Sequence, residues 1–264
     1  MQEQEVRAHL KEAEEKQMSA HVELKGINVD FALTNAMSYY RVTSLHTKEP
    51  ETLAWALSLG PDDVLFDVGA NMGLFTVIAA KVSGAQVFAF EPESQNYSLL
   101  NKNIFINKIT DKACAYCVAI TEKFKFDKLF LSGFSFAGSC HQFGAPVDYN
   151  LVPHPEMLGQ GCVGVSIDQL VESGFPFPSY IKIDVDGFEH AVIAGASNVL
   201  ADRRLKSVLL EVNKSIPQHV KMFDVMKGHG FVFDEAQMSE SNCGHRVKDP
   251  HFNQHYNVIF TRSA

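Results

Sequence analysis

The chain has 264 residues, 46% of them hydrophobic and 20% charged, and carries a formal net charge of −8. That length and composition suit one α/β domain with decoration and exclude widespread disorder. The acidic balance excludes an extended nucleic-acid or anionic-membrane surface, which needs clustered Lys and Arg.

The first segment, Met1–Met18, carries Glu3, Glu5, Lys11, Glu12, Glu14, Glu15 and Lys16 and lacks the apolar core of a secretory signal. Its helix-forming charges, with Val6, Leu10 and Ala13 sparsely placed, predict a solvent-facing helix over Glu3–Met18. His21–Leu33 alternates around Lys25-Gly26 and reads as a β-hairpin; Ala36–Ser44 reads as a further extended piece. Residues 1–47 therefore form an N-terminal extension, with a catalytic domain expected over 48–264. Glu49–Leu59 has helical spacing and stops at Gly60-Pro61.

Val64, Leu65, Phe66 and Val68 form an apolar run typical of a strand buried on both faces. Gly69 and Gly73 punctuate it, and Leu74–Val82 resumes as a helix. Strand, glycine turn and helix make a ligand site at the carboxyl edge of a sheet, since glycine lets backbone approach a ligand closely. Gln86–Glu91 is a second strand, Ser94–Asn107 a helix and Ala113–Ile120 a third strand. The alternation predicts a Rossmann-like, doubly wound, seven-stranded α/β sheet, mostly parallel with an antiparallel edge strand.

An insertion spans about 121–165. Phe124–Leu131 reads as a strand pair, and Gly133–Gly164, rich in Gly, Pro, His and Ser, as an irregular binding loop facing the acceptor. Phe134–Phe136, beside Gly138-Ser139, can border a cofactor or simply pack the insertion. Ser166–Glu172 is a short helix, Tyr180–Val185 a fourth strand, Phe188–Ala194 a helix and Ser207–Val212 a fifth strand. After an Ile216–His229 helix, Phe231–Phe233 and Tyr256–Thr261 supply an edge hairpin.

No apolar run approaches the roughly 18 residues of a membrane span. Five scattered cysteines read as reduced thiols, so a cytoplasmic location is expected. Cys114 and Cys117 have CxxC spacing, but three residues apart on a strand they face opposite sides, which favours a structural role. His141, His154, His245, His251 and His255 match no zinc-site spacing and read as solvated loop histidines.

Gly69-Ala-Asn-Met-Gly73 lacks the G-x-G-x-x-G spacing of a dinucleotide site. Asp67-x-Gly69-x-Asn71-x-Gly73 instead resembles motif I of the class I S-adenosylmethionine-dependent methyltransferases. Glu91 ends the second strand 24 residues after Asp67, where a carboxylate can accept both ribose hydroxyls. Val64–Gly73, Phe90-Glu-Pro92, Asn101-x-Asn103 with Asn107, and Ile181-Lys-Ile-Asp-Val-Asp-Gly-Phe-Glu189 together resemble the FkbM family of those enzymes. The likeness runs from about Glu49 to Val212; Asp186 stands where Glu is commoner.

The resemblance implies O-methylation of a hydroxyl on a sugar, glycolipid or polyketide-like small molecule, with S-adenosylmethionine as cofactor. It implies a cofactor shell of Asp67, Gly69, Ala70, Asn71, Gly73, Phe75, Thr76, Glu91, Pro92, Asn96, Ala119 and Asp184. Read from the residues themselves, the candidate catalytic group is Asp184, Lys182 and Asp186, with His190 an alternative base. On chemical grounds Asp184 can act as general base, orient the acceptor hydroxyl or ligate a metal. With Glu211 and Asn213 it makes an all-oxygen set suited to Mg²⁺ or Ca²⁺. His219 is a further base candidate. Other classes compatible with the hinge are a non-catalytic nucleotide-binding module and an NAD-dependent oxidoreductase; a homodimer is compatible, and the sequence fixes no oligomeric state.

Overall fold

A computed structural model describes residues 3–15, 18–248 and 252–263. The charged helix α1 (Glu3–Glu15) precedes an antiparallel hairpin, β1 (Met18–Leu24) and β2 (Ile27–Leu33). The hairpin turns at Lys25 and Gly26, both at positive φ, as a two-residue turn matched to strand twist requires. Lys16 and Gln17, within the helical stretch expected from the sequence, lie outside the described residues. Next come α2 (Ala36–Thr43), α3 (Leu45–Lys48) and α4 (Pro50–Leu57). The extended piece expected at Ala36–Ser44 is thus a helix: Asn35 caps it, accepting from Ser38 N while the Ser38 hydroxyl takes Asn35 N, a reciprocal box the sequence reading overlooked.

The strand–turn–helix unit follows: β3 (Val64–Val68), α5 (Leu74–Lys81), β4 (Gln86–Phe90), α6 (Ser94–Ile106) and β5 (Ala113–Tyr116). β6 (Ala119–Ile120), β7 (Lys125–Leu131), β8 (Gln142–Phe143) and β9 (Leu158–Val165) make up the insertion and its borders. The chain continues through α7 (Ile167–Glu172), β10 (Tyr180–Ile183), α8 (Glu189–Ala194), α9 (Ser197–Ala201) and β11 (Ser207–Asn213). It ends with α10 (Pro217–Gly228), β12 (Phe231–Phe233), α11 (Glu235–Glu240), α12 (Cys243–Val247) and β13 (His255–Arg262).

The main sheet has seven strands in the order β12-β13-β11-β10-β3-β4-β5. Pairings among β5, β4, β3, β10 and β11 are parallel, and β13 is antiparallel to both neighbours, so the reversed strand lies one place in from the edge. The strand order reverses between β3 and β10, and a parallel sheet opens a crevice at such a point. Alternate strand residues feed two apolar layers, one around Leu65, Val87 and Ile78, the other around Phe66, Ile183 and Leu210. Leu24, Val29, Phe31 and Val42 bury in the first layer, so the N-terminal extension shares the core of the sheet. Asn103 of α6 and its C-cap residue Asn107 bind it polar to polar: Asn103 Oδ1 accepts Ala32 N at 2.8 Å, and Asn107 exchanges hydrogen bonds with both backbone groups of Asp30. Asn103 also donates to Met72 O, linking the hairpin to the glycine turn.

The insertion is more regular than its composition predicts. Phe124–Leu131 is not a strand pair: β7 is one strand whose antiparallel partner is β9, and with β6 and β8 they form a second, four-stranded sheet. The glycines that suggested a loop permit close approach; a Cβ on Gly164 would meet the Phe143 ring at 2.5 Å. Among the described residues no helix is long and apolar enough to cross a membrane.

Candidate functional site

At the end of β3 the chain turns through Gly69, Asn71 and Gly73, with φ of 76°, 51° and 83°. Gly69 N and Ala70 N both donate to Phe90 O, pinning the turn to β4. A Cβ at Gly69 would lie 1.8 Å from the Asp184 carbonyl oxygen, and one at Gly73 2.4 Å from Leu100 Cδ1, so neither position admits a side chain. Gly69→Ala is expected to cost about 3 kcal/mol or more, roughly 10 °C in Tm, read by calorimetric unfolding.

Glu91, just past β4, is buried; its two oxygens accept Asn71 N at 2.7 Å and Glu93 N at 2.8 Å. Each oxygen keeps acceptor capacity for a ligand. Burial pushes its pKa up to about 7. The amino end of α6 is capped by Glu93, which accepts from Gln95 N and Asn96 N, so Glu91 is not the helix cap.

Behind the turn, Asp67 Oδ2 accepts the Thr76 hydroxyl at 2.5 Å. Lys182, almost fully buried, lies 3.1 Å from Asp184 Oδ2 and 3.8 Å from Asp67 Oδ1. The nearer carboxylate holds the ion pair. Burial alone would raise Asp184, but the Lys182 and Lys48 cations outweigh it and keep the group below the usual carboxylate range, whereas burial pushes Asp67 up.

After β10 the chain turns at Asp186 (φ 57°) and Gly187 (φ 126°). Glu189 fixes that turn by accepting Val185 N and Gly187 N, and burial pushes its pKa up to about 8. This conformation, which Asp adopts more readily than most residues, brings Asp184 and Asp186 to one wall. Leu210 pairs with Ile183, so Glu211 comes level with Asp184. One oxygen from each of Asp184, Asp186 and Glu211 lies within 4.8 Å of the others, the sole such grouping of His, Cys, Asp and Glu among the described residues. Burial, reinforced by Asp184, lifts Asp186 to about 6; burial with Asp184 and Glu189 lifts Glu211 well above its ordinary value.

These walls enclose a cavity of about 440 Å³, within the range of small-molecule sites. Of the residues the sequence singled out, Gly69, Asn71, Glu91, Pro92, Asn96, Ala119, Asp184, Asp186 and Glu211 line it. A side cavity of about 40 Å³ is lined by Ala70, Phe75 and Lys182, with Gly69, Asn71 and Asp184 shared. Asp67, Gly73 and Thr76 line neither and lie behind the turn as its support.

His190 lines neither cavity; its ring stacks on Phe188. Asn213 is also elsewhere: its amide nitrogen donates to Asn150 and its oxygen accepts Ser215 N, so Asp186 takes its place beside Asp184 and Glu211. His219 Nδ1 accepts Asn213 N, which leaves the ring proton on Nε2, 2.9 Å from Gly187 O and 3.2 Å from Glu189. Burial lowers its pKa to about 4, and it braces the Gly187 turn. Of the loop histidines, His141 lines the cavity, His154 is exposed and His255 packs against Phe252 and Tyr149; His251 and the His245 side chain lie outside the described residues. Cys114 and Cys117 are both free and exposed.

The sequence reading missed Met37, Tyr40, Arg41 and Lys48, which line the cavity from α2 and α3, and Cys243 and Phe252 from the carboxyl-terminal region. Arg41 lies in the last turn of α2 and Lys48 ends α3, and recognising the capping box at Asn35 would have placed Arg41 on a helix. The segment from Phe136 to Cys140 crosses the cavity. Asn71 and Asn96 both donate to Gly138 O, Arg41 Nε donates to Ala137 O and Asp186 accepts Cys140 N.

A family model described as "Methyltransferase FkbM domain" matches residues 67–233. The chain is 27% identical to the hexuronic acid methyltransferase AglP of Haloferax volcanii, covering 74% of each chain. It is 28% identical to the 31-O-demethyl-FK506 methyltransferase FkbM of Streptomyces tacrolimicus, covering 68% of this chain and 76% of that one. A crystal structure of methyltransferase FkbM from Methylobacillus flagellatus superposes with a TM-score of 0.48 at 12% identity, over 87% of this chain and 56% of the other. With its motif I turn, Glu91 and the Ile181–Glu189 segment all inside the matched span, this chain belongs to the FkbM-domain methyltransferases.

Proposed function

We propose that the protein methylates a hydroxyl oxygen of a sugar, glycolipid or polyketide-like small molecule, with S-adenosylmethionine as donor. One observation carries the reading: a cavity of about 440 Å³ at the switch point has Glu91 on one wall and three converging carboxylates on another. The relatives named for a hexuronic acid and for 31-O-demethyl-FK506 support a hydroxylated small-molecule acceptor.

The residues fit the donor. Glu91 retains acceptor capacity for ribose hydroxyls, and Asn96 Oδ1, buried in the cavity wall, has no protein partner. The donor, when bound, supplies a methyl group on a positively charged sulfur, intrinsically activated for displacement. The protein's part is to align the acceptor and exclude water. Asp184, ionised beside Lys182, orients the acceptor hydroxyl, and Asp186, or Glu211 in its ionised form, takes its proton.

The test is mass spectrometry of purified protein with S-adenosylmethionine and a panel of hydroxylated acceptors that includes a uronic acid. The expected result is acceptor heavier by one methyl group together with S-adenosylhomocysteine. Binding of S-adenosylhomocysteine without transfer, with Asp184→Asn inert in function, would favour a binding module. A thermal shift with NAD(H) and none with S-adenosylhomocysteine would favour an oxidoreductase.

The carboxylate trio supports a second reading, since oxygens that close suit Mg²⁺ or Ca²⁺. It predicts that turnover falls at least about tenfold after EDTA treatment and recovers with added Mg²⁺ or Ca²⁺. Unchanged turnover eliminates it.

A further inference from the structure

We propose that Arg41, supplied by the N-terminal extension, and Lys48, at its junction with the catalytic domain, clamp the α-carboxylate of S-adenosylmethionine in the side cavity. The inference rests on the cofactor reading above and adds residues that precede the family match, which begins at 67.

The side cavity is bounded on one face by the Gly69–Met72 turn and the start of α5, and on the other by Arg41, Ser44, Lys48 and Glu49. Glu91 lines the main cavity and not this one, so a ligand anchored there by its ribose has its amino-acid end to place elsewhere. Arg41 is committed through one nitrogen only: Nε donates to Ala137 O at 2.8 Å. Among the described residues its two terminal nitrogens have no acceptor and no carboxylate within ion-pair distance, although it lines both cavities.

A guanidinium fixed at Nε with both outer nitrogens free matches the two oxygens of a carboxylate. Lys48 adds a second cation, paired with Glu49 at 2.9 Å, and that pairing keeps its ammonium charged. The amino end of α5 begins at Leu74 on the opposite face, where the helix dipole favours an anion. Asp184 also borders the side cavity and supplies the opposite sign for the α-ammonium. Such a zwitterion needs both charges close together, and among the cavity walls this corner has them.

Titration calorimetry of the full chain with S-adenosylmethionine and with decarboxylated S-adenosylmethionine tests the clamp. The second probe keeps the ammonium and adenosine and lacks only the carboxylate. Arg41→Met is expected to weaken S-adenosylmethionine about 10- to 100-fold and the decarboxylated probe less than about threefold; Lys48→Met should show the same selectivity, more weakly.

Equal losses for both probes would overturn the proposal and leave Arg41 as a brace for the Ala137 segment. Unchanged donor affinity with a raised acceptor KM would also overturn it, assigning the cations to an anionic acceptor. Wild-type protein that binds neither probe would instead defeat the cofactor reading beneath it. Lys48→Met, which leaves the Arg41–Ala137 bond in place, keeps the test decisive if Arg41→Met does not fold.

Discussion

Glu91→Ala is expected to lower affinity for S-adenosylmethionine by about 100-fold or more, because two charge-assisted hydrogen bonds to ribose are lost together. The same change frees the amides of Asn71 and Glu93, which destabilises the turn, and also removes a carboxylate whose burial disfavours its charge. These effects oppose each other, so Tm should move by only a few degrees. Calorimetry showing unchanged affinity would sink the ribose assignment.

A pH series sharpens the test. Ribose hydroxyls donate to the ionised carboxylate, and in the free protein Glu91 holds its proton up to about pH 7. Binding therefore has to expel a proton below that value. Affinity should fall toward about tenfold per unit as pH drops below 7 and be level above it. Glu91→Gln removes the titrating group and should flatten the profile.

Much of this site was legible because chemistry and chain geometry coincide in short segments. Gly69 and Gly73 need positive φ and close packing, which no other residue type provides, and Glu91 closes a strand at a fixed distance beyond Asp67. The parallel sheet was legible because strands buried on both faces read as unbroken apolar runs. What stayed hidden depends on tertiary contact. β9 carries three glycines that read as loop, and for two of them the reason is tertiary: the Phe143 ring and Thr121 press on Gly164 and the Lys128 stem on Gly159.

Asn213 and Asp186 show the same limit at the site itself. Asn213 closes β11 and Asp186 lies just beyond β10, and only the left-handed backbone at Asp186 and the local bonds of Asn213 decide which one enters the cavity. Arg41 and Lys48 were hidden for a further reason. Their helices belong to an extension whose packing on the sheet is set by Asn103 and Asn107, some sixty residues later in the chain.

Glu211→Gln should separate function from stability. The carboxylate lies among Asp184, Asp186 and Glu189, and among the described residues no protein donor bonds to it. The Lys48 cation favours its charge, but burial and the like charges of Asp184, Glu189 and Asp186 outweigh it. The amide keeps the shape and removes the repulsion, so the variant should be more stable by about 1–3 kcal/mol, a rise of several degrees in Tm. Turnover should nevertheless fall about 10²- to 10⁴-fold, the usual contribution of a positioned base, with donor affinity unchanged. A residue kept only for packing would show the reverse, lower Tm with turnover intact, and that result would remove Glu211 from the reaction. If the loss occurs while EDTA has no effect on wild-type turnover, Glu211 acts on the acceptor hydroxyl directly and not through a bound cation.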